Sequence, residues 1–119
     1  MSVEEAVRAA LDAQVAAWNA GDVDAFCAAY AEDAVYVGVS GVTTGRAALA
    51  ASYRARYPDR AAMGVLDLAV RHVHAGPGPR AVALVSWSVG AHGGAALVVL
   101  APGADGAWRV THDATLGLP

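Results

Sequence analysis

The chain has 119 residues, a formal net charge of −3, and eight basic residues, all arginine, scattered from Arg8 to Arg109. That length fits a single domain, 1–119, that buries a core without disulfides or a structural metal, and a dispersed basic set lacks the footprint of a nucleic-acid-binding surface. One cysteine, Cys27, forms no internal disulfide, the start MSVEEAV lacks the basic-then-apolar order of a secretion signal, and no apolar run approaches the ~18 residues that span a bilayer, so a cytoplasmic protein without nucleic-acid or membrane partners is expected.

Ser2 and Glu5 have capping-box spacing, and Val3, Val7, Leu11, Gln14 and Trp18 follow at helical intervals until Gly21 offers a left-handed stop. Gln14 is the one polar residue on that inner stripe. Asp22 can cap a short second helix with Val23, Phe26, Cys27 and Tyr30 on one side. Glu32-Asp33 then turns the chain into a strand, AVYVGVS, with Val35, Val37 and Val39 on one face and Tyr36, Gly38 and Ser40 on the other. Thr44 can cap a third helix carrying Leu49, Tyr53 and Tyr57 on one face, and Pro58 stops it.

Beyond Pro58 four strand-like segments follow, GVLDLAVRHVHA, RAVALVSWSVGA, AALVVLA and AWRVTHDATLG, separated by turn signals at GPGP (76–79), HGG (92–94) and PGADG (102–106). Helices first and an antiparallel meander afterwards predict an α+β fold. A strongly curved antiparallel sheet wrapped around three N-terminal helices leaves a cavity between the first helix and the concave face. Both faces of the strands are apolar, as in Val82, Leu84 and Val98 against Ala83, Val85 and Val99; one face covers the helices and the other needs a partner, which predicts a homodimer through the outer face.

The run GDVDAFCAAYAEDAVYVGVSGVTTGRAALAASYRARY, with GD-x-D-A, Y-A-x-D-A and T-G-R-x-x-L in that order, resembles the nuclear-transport-factor-2-like superfamily, which holds ketosteroid isomerases and SnoaL-like polyketide cyclases. The resemblance implies a cone-shaped pocket fold. It places Tyr30 and Tyr53 at two tyrosines of the isomerase hydrogen-bond network, Gln14 at the oxyanion-donating tyrosine and Gly38 at the proton-abstracting carboxylate. A second oxyanion donor falls near Ala96 or Leu97. Glycine removes no proton, so steroid isomerisation by the family mechanism is not expected.

By the same resemblance the last strand carries an acid/base group near Asp113. Alternation sets Arg109, Thr111, Asp113 and Thr115 on one face against Trp108, Val110, His112, Ala114 and Leu116 on the other, so His112 and Asp113 point inward together only across a bulge. Taken alone the second face, the more apolar, covers the core and leaves Asp113 in solvent; the resemblance turns Asp113 into the pocket. His72 and His74 share a strand face with Leu66, Leu68 and Val70, a spacing that suits two metal ligands, with His92 or His112 as a conceivable third. Nothing supplies a converging third ligand, so half-exposed histidines and no metal are expected. Cys27 reads as a buried inert thiol, and Thr44-Gly45-Arg46 lacks the glycine run and lysine of a phosphate loop.

Trp18, Tyr36 and Trp87 are amphipathic rings suited to stacking on a flat ligand while offering single donors. These residues together predict a SnoaL-like homodimer that binds a small apolar, polyketide-like metabolite, without a cofactor, among Gln14, Trp18, Tyr30, Tyr36, Tyr53 and Trp87. Asp113 is the acid/base of a cyclase- or isomerase-type reaction if one is catalysed. The alternative is a non-enzymatic association module whose cavity is plugged by its own aromatics.

Overall fold

The computed structural model describes residues 1–118. Helix α1 (Val3–Asn19) begins with the expected capping box: the Glu5 N–H donates to Ser2 Oγ at 3.1 Å and the Ser2 N–H to Glu5 Oε1 at 3.0 Å. Two amides that a helix start leaves free are thereby satisfied. Val7, Leu11, Gln14 and Trp18 form its buried stripe. Gly21, at φ +79°, closes the far end, and the Asp22 N–H reaches back to the Ala17 carbonyl. Asn19 does what the pattern did not reveal: its Nδ2 donates to the Leu66 carbonyl at 3.0 Å and its Oδ1 accepts from the Leu66 N–H at 2.8 Å, tying the end of α1 to the sheet.

Helix α2 (Val23–Cys27), capped by Asp22, is shorter than its apolar pattern, because Tyr30 begins strand β1 (Tyr30–Gly38) instead of ending the helix. β1 folds back on β2 (Gly41–Thr44), a hairpin that the sequence pattern does not separate. Thr44 is consequently held in the ladder opposite Val35, and Gly45, at φ +94°, occupies the N-cap of α3 (Arg46–Arg56) without a side-chain cap. After Pro58 one further helical turn, α4 (Arg60–Met63), is capped by Asp59 and buries Met63.

Strands β3 (Leu66–Ala75), β4 (Ala81–Val89), β5 (His92–Pro102) and β6 (Trp108–Leu118) complete a six-stranded sheet of order β2-β1-β6-β5-β4-β3. The fold is α+β, three N-terminal helices against a curved, unclosed sheet, antiparallel except where β1 runs parallel to β6. The turn expected at 92–94 lies at Gly90-Ala91. His92, Gly93 and Gly94 belong to β5, where Gly94 sits between Trp87 and Gly117; a Cβ there would come within 2.8 Å of the Trp87 ring and collide with the Leu116 carbonyl.

Two bulges set the faces of the sheet. Thr111 is an extra residue in β6, since Val99 pairs with His112 but Leu100 with Val110. Arg71 is an extra residue in β3, since Val70 pairs with Val85 but His72 with Leu84. Register also corrects one grouping: Val98 lies opposite Ala83 and is buried with Val85, while Val99 faces outward beside Val82.

Candidate functional site

Between α1, α3, α4 and the concave face lies a cavity of about 780 Å³, within the range of small-molecule sites. Its mouth is ringed by exposed residues, among them Val39 at the tip of the β1–β2 hairpin, Arg56 at the end of α3, Ala91 in the β4–β5 turn, His92 at the start of β5, and Leu118. Leu11, Met63, Leu66, Leu68, Val85 and Val98 supply an apolar wall.

The opposite wall is polar and comes from β1, β6 and α3. Alternation and the apolar pattern of β6 had set Val110 and Asp113 on opposite faces; the bulge at Thr111 turns both inward, leaving Val110 1% and Asp113 9% exposed, with His112 in solvent. Tyr30 donates to Asp113 Oδ2 at 2.8 Å and Thr115 to Oδ1 at 2.6 Å. Burial pushes the Asp113 carboxyl above its ordinary range, and the bonds from Thr115 and Tyr30 oppose that rise. Burial is also the largest cause of the raised pKa of Tyr30, Tyr53 and Tyr36, whose phenols therefore stay protonated near neutrality, and the Asp113 charge adds to each shift. Tyr36 lies directly across from Asp113 in the β1–β6 pairing.

All seven residues singled out in the sequence border this cavity, although in different conditions. Trp18 is 3% exposed and its indole N–H is committed to the Met63 carbonyl at 3.3 Å, so it offers an apolar edge and no donor. It meets Phe26 (4.9 Å between centroids), Tyr57 (5.0 Å) and Tyr53 (5.9 Å) edge to face. Trp87 spreads over Gly94, and its Nε1 is a buried polar atom with no hydrogen-bond partner among the described residues. Gln14 is 6% exposed and has no side-chain hydrogen bond to any described residue; the Tyr30 hydroxyl goes to Asp113 instead. Gly38 also lines the cavity, and a Cβ there would come 3.0 Å from Tyr36 Cε1, so the Tyr36 ring fills the space a side chain at 38 would need. Ala96, opposite Thr115, puts only a methyl group where the resemblance set a second oxyanion donor.

Two residues that complete the site were not singled out. Thr115 was visible as a face-mate of Asp113 but not as its donor, and Arg56 gave no sequence signal beyond its place near a helix end. His72 and His74 lie outside the site: the bulge at Arg71 turns Val73 inward and leaves both exposed, which corrects the face they were assigned with Leu66, Leu68 and Val70. Among the described residues no three His, Cys, Asp or Glu side chains converge as metal ligands. Cys27 is buried and its thiol is pushed up to about 11, chiefly by that burial, which leaves it protonated and unreactive near neutral pH. Among the described residues no helix is long and apolar enough to cross a membrane.

Residues 11–114 match the SnoaL-like domain family. The chain is similar in structure to an NTF-2-like protein of unknown function from Shewanella oneidensis (TM-score 0.88, 22% identity, covering 95% of this chain and 98% of that one). A ketosteroid isomerase-like protein from Erwinia carotovora atroseptica superposes at TM-score 0.81 with 20% identity, over 97% of this chain and 95% of that one. A Catenulispora acidiphila protein in complex with S-DNPA reaches TM-score 0.71 at 18% identity, over 96% and 92%. Identities this low carry the fold alone. No curated protein matches in sequence.

Proposed function

The chain belongs to the SnoaL-like domain family, and from that premise we propose that it binds a small, mostly apolar, polyketide-like carbonyl compound in the cavity and moves a proton on it with Asp113. The observation that carries this reading is the Asp113 carboxyl itself: it is buried in the cavity wall, held by Tyr30 and Thr115, and raised in pKa. Those are the conditions under which a carboxyl serves as general acid or base near neutral pH. In a cyclase- or isomerase-type reaction Asp113 would take a proton from carbon beside the carbonyl. The carbonyl oxygen would be met by the Gln14 amide, with Tyr36 and Tyr53 as further donors. Gln14 supports the reading over the association module, because its amide makes no hydrogen bond to a described residue and stays open to the cavity, where a ligand oxygen can meet it.

Melting curves with flat aromatic ketones, paired with NMR of their α-proton exchange in D₂O, test the proposal. The wild type is expected to be stabilised by a ketone and to exchange its α-protons faster than buffer does. Asp113→Asn should keep the shift and lose the exchange. Gln14→Leu should leave the free protein as stable or up to about 1 kcal/mol more so, and weaken ketone binding. No ligand-induced shift together with clear destabilisation by Gln14→Leu would favour the plugged association module.

The same proposal includes a homodimer in the cytoplasm. On the convex face Leu84 pairs with Leu97 and Leu97 with Ala114, and Ala114 lies across from Val37; Leu84 is 39%, Leu97 53% and Val37 43% exposed, a row of apolar side chains that a second copy would cover. Leu97→Glu should convert a dimer to a monomer in analytical ultracentrifugation; a monomeric wild type at micromolar concentration removes the idea. A lone buried Cys27 suits a reducing compartment.

A further inference from the structure

The polar groups of the cavity are out of balance. Gln14 presents an amide without a partner among the described residues and Arg56 a guanidinium, with the protonated phenols of Tyr36 and Tyr53 close to Thr115, Tyr30 and each other, whereas Asp113 is the only acidic side chain among the described residues of the lining and both of its oxygens already accept hydrogen bonds. Donors thus outnumber free acceptors in a site that would have to shed its water to hold an apolar ligand. A ligand suited to it brings oxygens that accept.

Arg56 sharpens that conclusion to charge. Arg8, Arg54 and Arg109 are paired with carboxylates, and Arg46, Arg60 and Arg71 donate to carbonyl or hydroxyl oxygens. Arg56 and Arg80 have neither kind of partner among the described residues, and of the two only Arg56 lines the cavity. It is not loose in solvent, however: its guanidinium carbon lies 5.9 Å from the Tyr53 ring centroid and 5.9 Å from that of Tyr57, two rings stacked 6.1 Å apart on the last turns of α3. Contact with aromatic faces holds the planar fork at the mouth without using its hydrogen bonds. Arg56 also opposes the rise in the Tyr36 pKa, as a cation close to the polar wall must. The cavity therefore has an axis, with a free cation at the mouth, a carboxyl in the wall, and Tyr36 between them.

We infer that the ligand is a flat apolar organic acid bound as its anion, with its carboxylate on Arg56 at the mouth and its apolar body against Leu68 and Val85. This rests on the reading of the cavity as a binding site and adds to it the chemical class of the ligand. A planar carboxylate matches the two-pronged geometry of a guanidinium, which the flanking Tyr53 and Tyr57 rings hold in place.

Titration calorimetry with 2-naphthoate and its neutral isostere 2-naphthamide tests it on the wild type and on Arg56→Gln and Arg56→Lys. The wild type should bind the acid at least about 10-fold more tightly than the amide, the size of one charge-assisted contact. Arg56→Gln should remove that preference while leaving the amide's affinity within about 2-fold, and Arg56→Lys, which keeps charge but not the fork, should retain part of it. Arg56 is exposed, so neither variant threatens folding. Equal binding of acid and amide by the wild type, or an acid preference that survives Arg56→Gln, overturns the inference and leaves the binding cavity standing. Failure of both probes to bind overturns the inference and the cavity reading together.

Discussion

Strands β3 and β6 contain the same irregularity, one inserted residue, with opposite results for the chemistry each carries. In β6 the extra residue is Thr111, and it brings Val110 and Asp113 onto one face, so a single strand contributes both to the core and to the polar wall. In β3 the extra residue is Arg71, and it turns Val73 toward the core and sends His72 and His74 into solvent. Because side chains alternate with a period of two, a single insertion reverses every face assignment beyond it. The functional value of a residue on a bulged strand depends on which side of the bulge it lies. β6 is also central, paired with both β1 and β5, whereas β3 is the edge of the sheet.

The sharpest way to break this contrast is to insert one alanine beyond each bulge. With an alanine between His112 and Asp113, the Asp113–Thr115 segment must face outward or slip against both β1 and β5. The loss should be on the order of the whole stability of a small domain, about 5 kcal/mol or more. With an alanine between His72 and Val73, only the last turn-ward residues of an edge strand reverse, exchanging half-buried Val73 for His74, and the expected loss is about 1–3 kcal/mol. Urea denaturation compares the two. Equal losses would mean that the position of a strand in the sheet does not govern the cost of its register.

The two bulges also mark where the sequence ceases to be legible. The stripe of α1, its capping box, its Gly21 stop and the polar exception at Gln14 were all visible, because helical spacing over seventeen residues leaves little freedom. The four strands after Pro58 were visible as runs of β-branched and small residues. The hairpin of β1 and β2 was not, since Val39-Ser40 gives a weaker turn signal than the glycine and proline clusters elsewhere. Neither bulge was marked by a glycine or proline: Thr111 and Arg71 look like ordinary strand residues, and their placement is decided by which side chains the core can take. For the cavity, the seven residues singled out in the sequence border one space, but the Thr115–Asp113 bond and the aromatic seat of Arg56 arise only from long-range packing.

A smaller effect sharpens what the β6 bulge costs. Turning Asp113 inward raises its pKa in the folded state, so the fold prefers the protonated form. Below the unfolded value of about 3.9 the group is protonated in both states and contributes no pH dependence. As pH rises through the raised folded value the wild type loses stability, and above it the loss is complete. Asp113→Asn has no charge to bury, and its amide can still accept from Tyr30 and donate to Thr115. The variant should therefore match the wild type near pH 4 and exceed it at pH 7, by about 1.4 kcal/mol for each unit of upward shift. Melting temperatures across that range check it; a variant less stable at neutral pH would show that the ionised carboxylate is favoured in place.

The smallest effect belongs to the histidines that the β3 bulge excludes. Were His72 and His74 on the inner face, removing both imidazoles would open space in the core and cost about 1–3 kcal/mol, or would abolish binding of a divalent metal. With the bulge in place His72 lies across from Leu84 and His74 from Val82 on the convex face, near the sheet edge, and neither ring makes a hydrogen bond among the described residues. Surface substitutions away from such contacts stay within about 0.5 kcal/mol. The double variant His72→Ala/His74→Ala should accordingly melt close to the wild type, and added zinc should shift neither protein. It should also leave ketone binding untouched, since the sheet separates both side chains from the cavity. Loss of ligand binding in the double variant, with stability intact, would place the working face of β3 on the convex side and shift attention from the cavity to the surface proposed to meet a second copy of the chain.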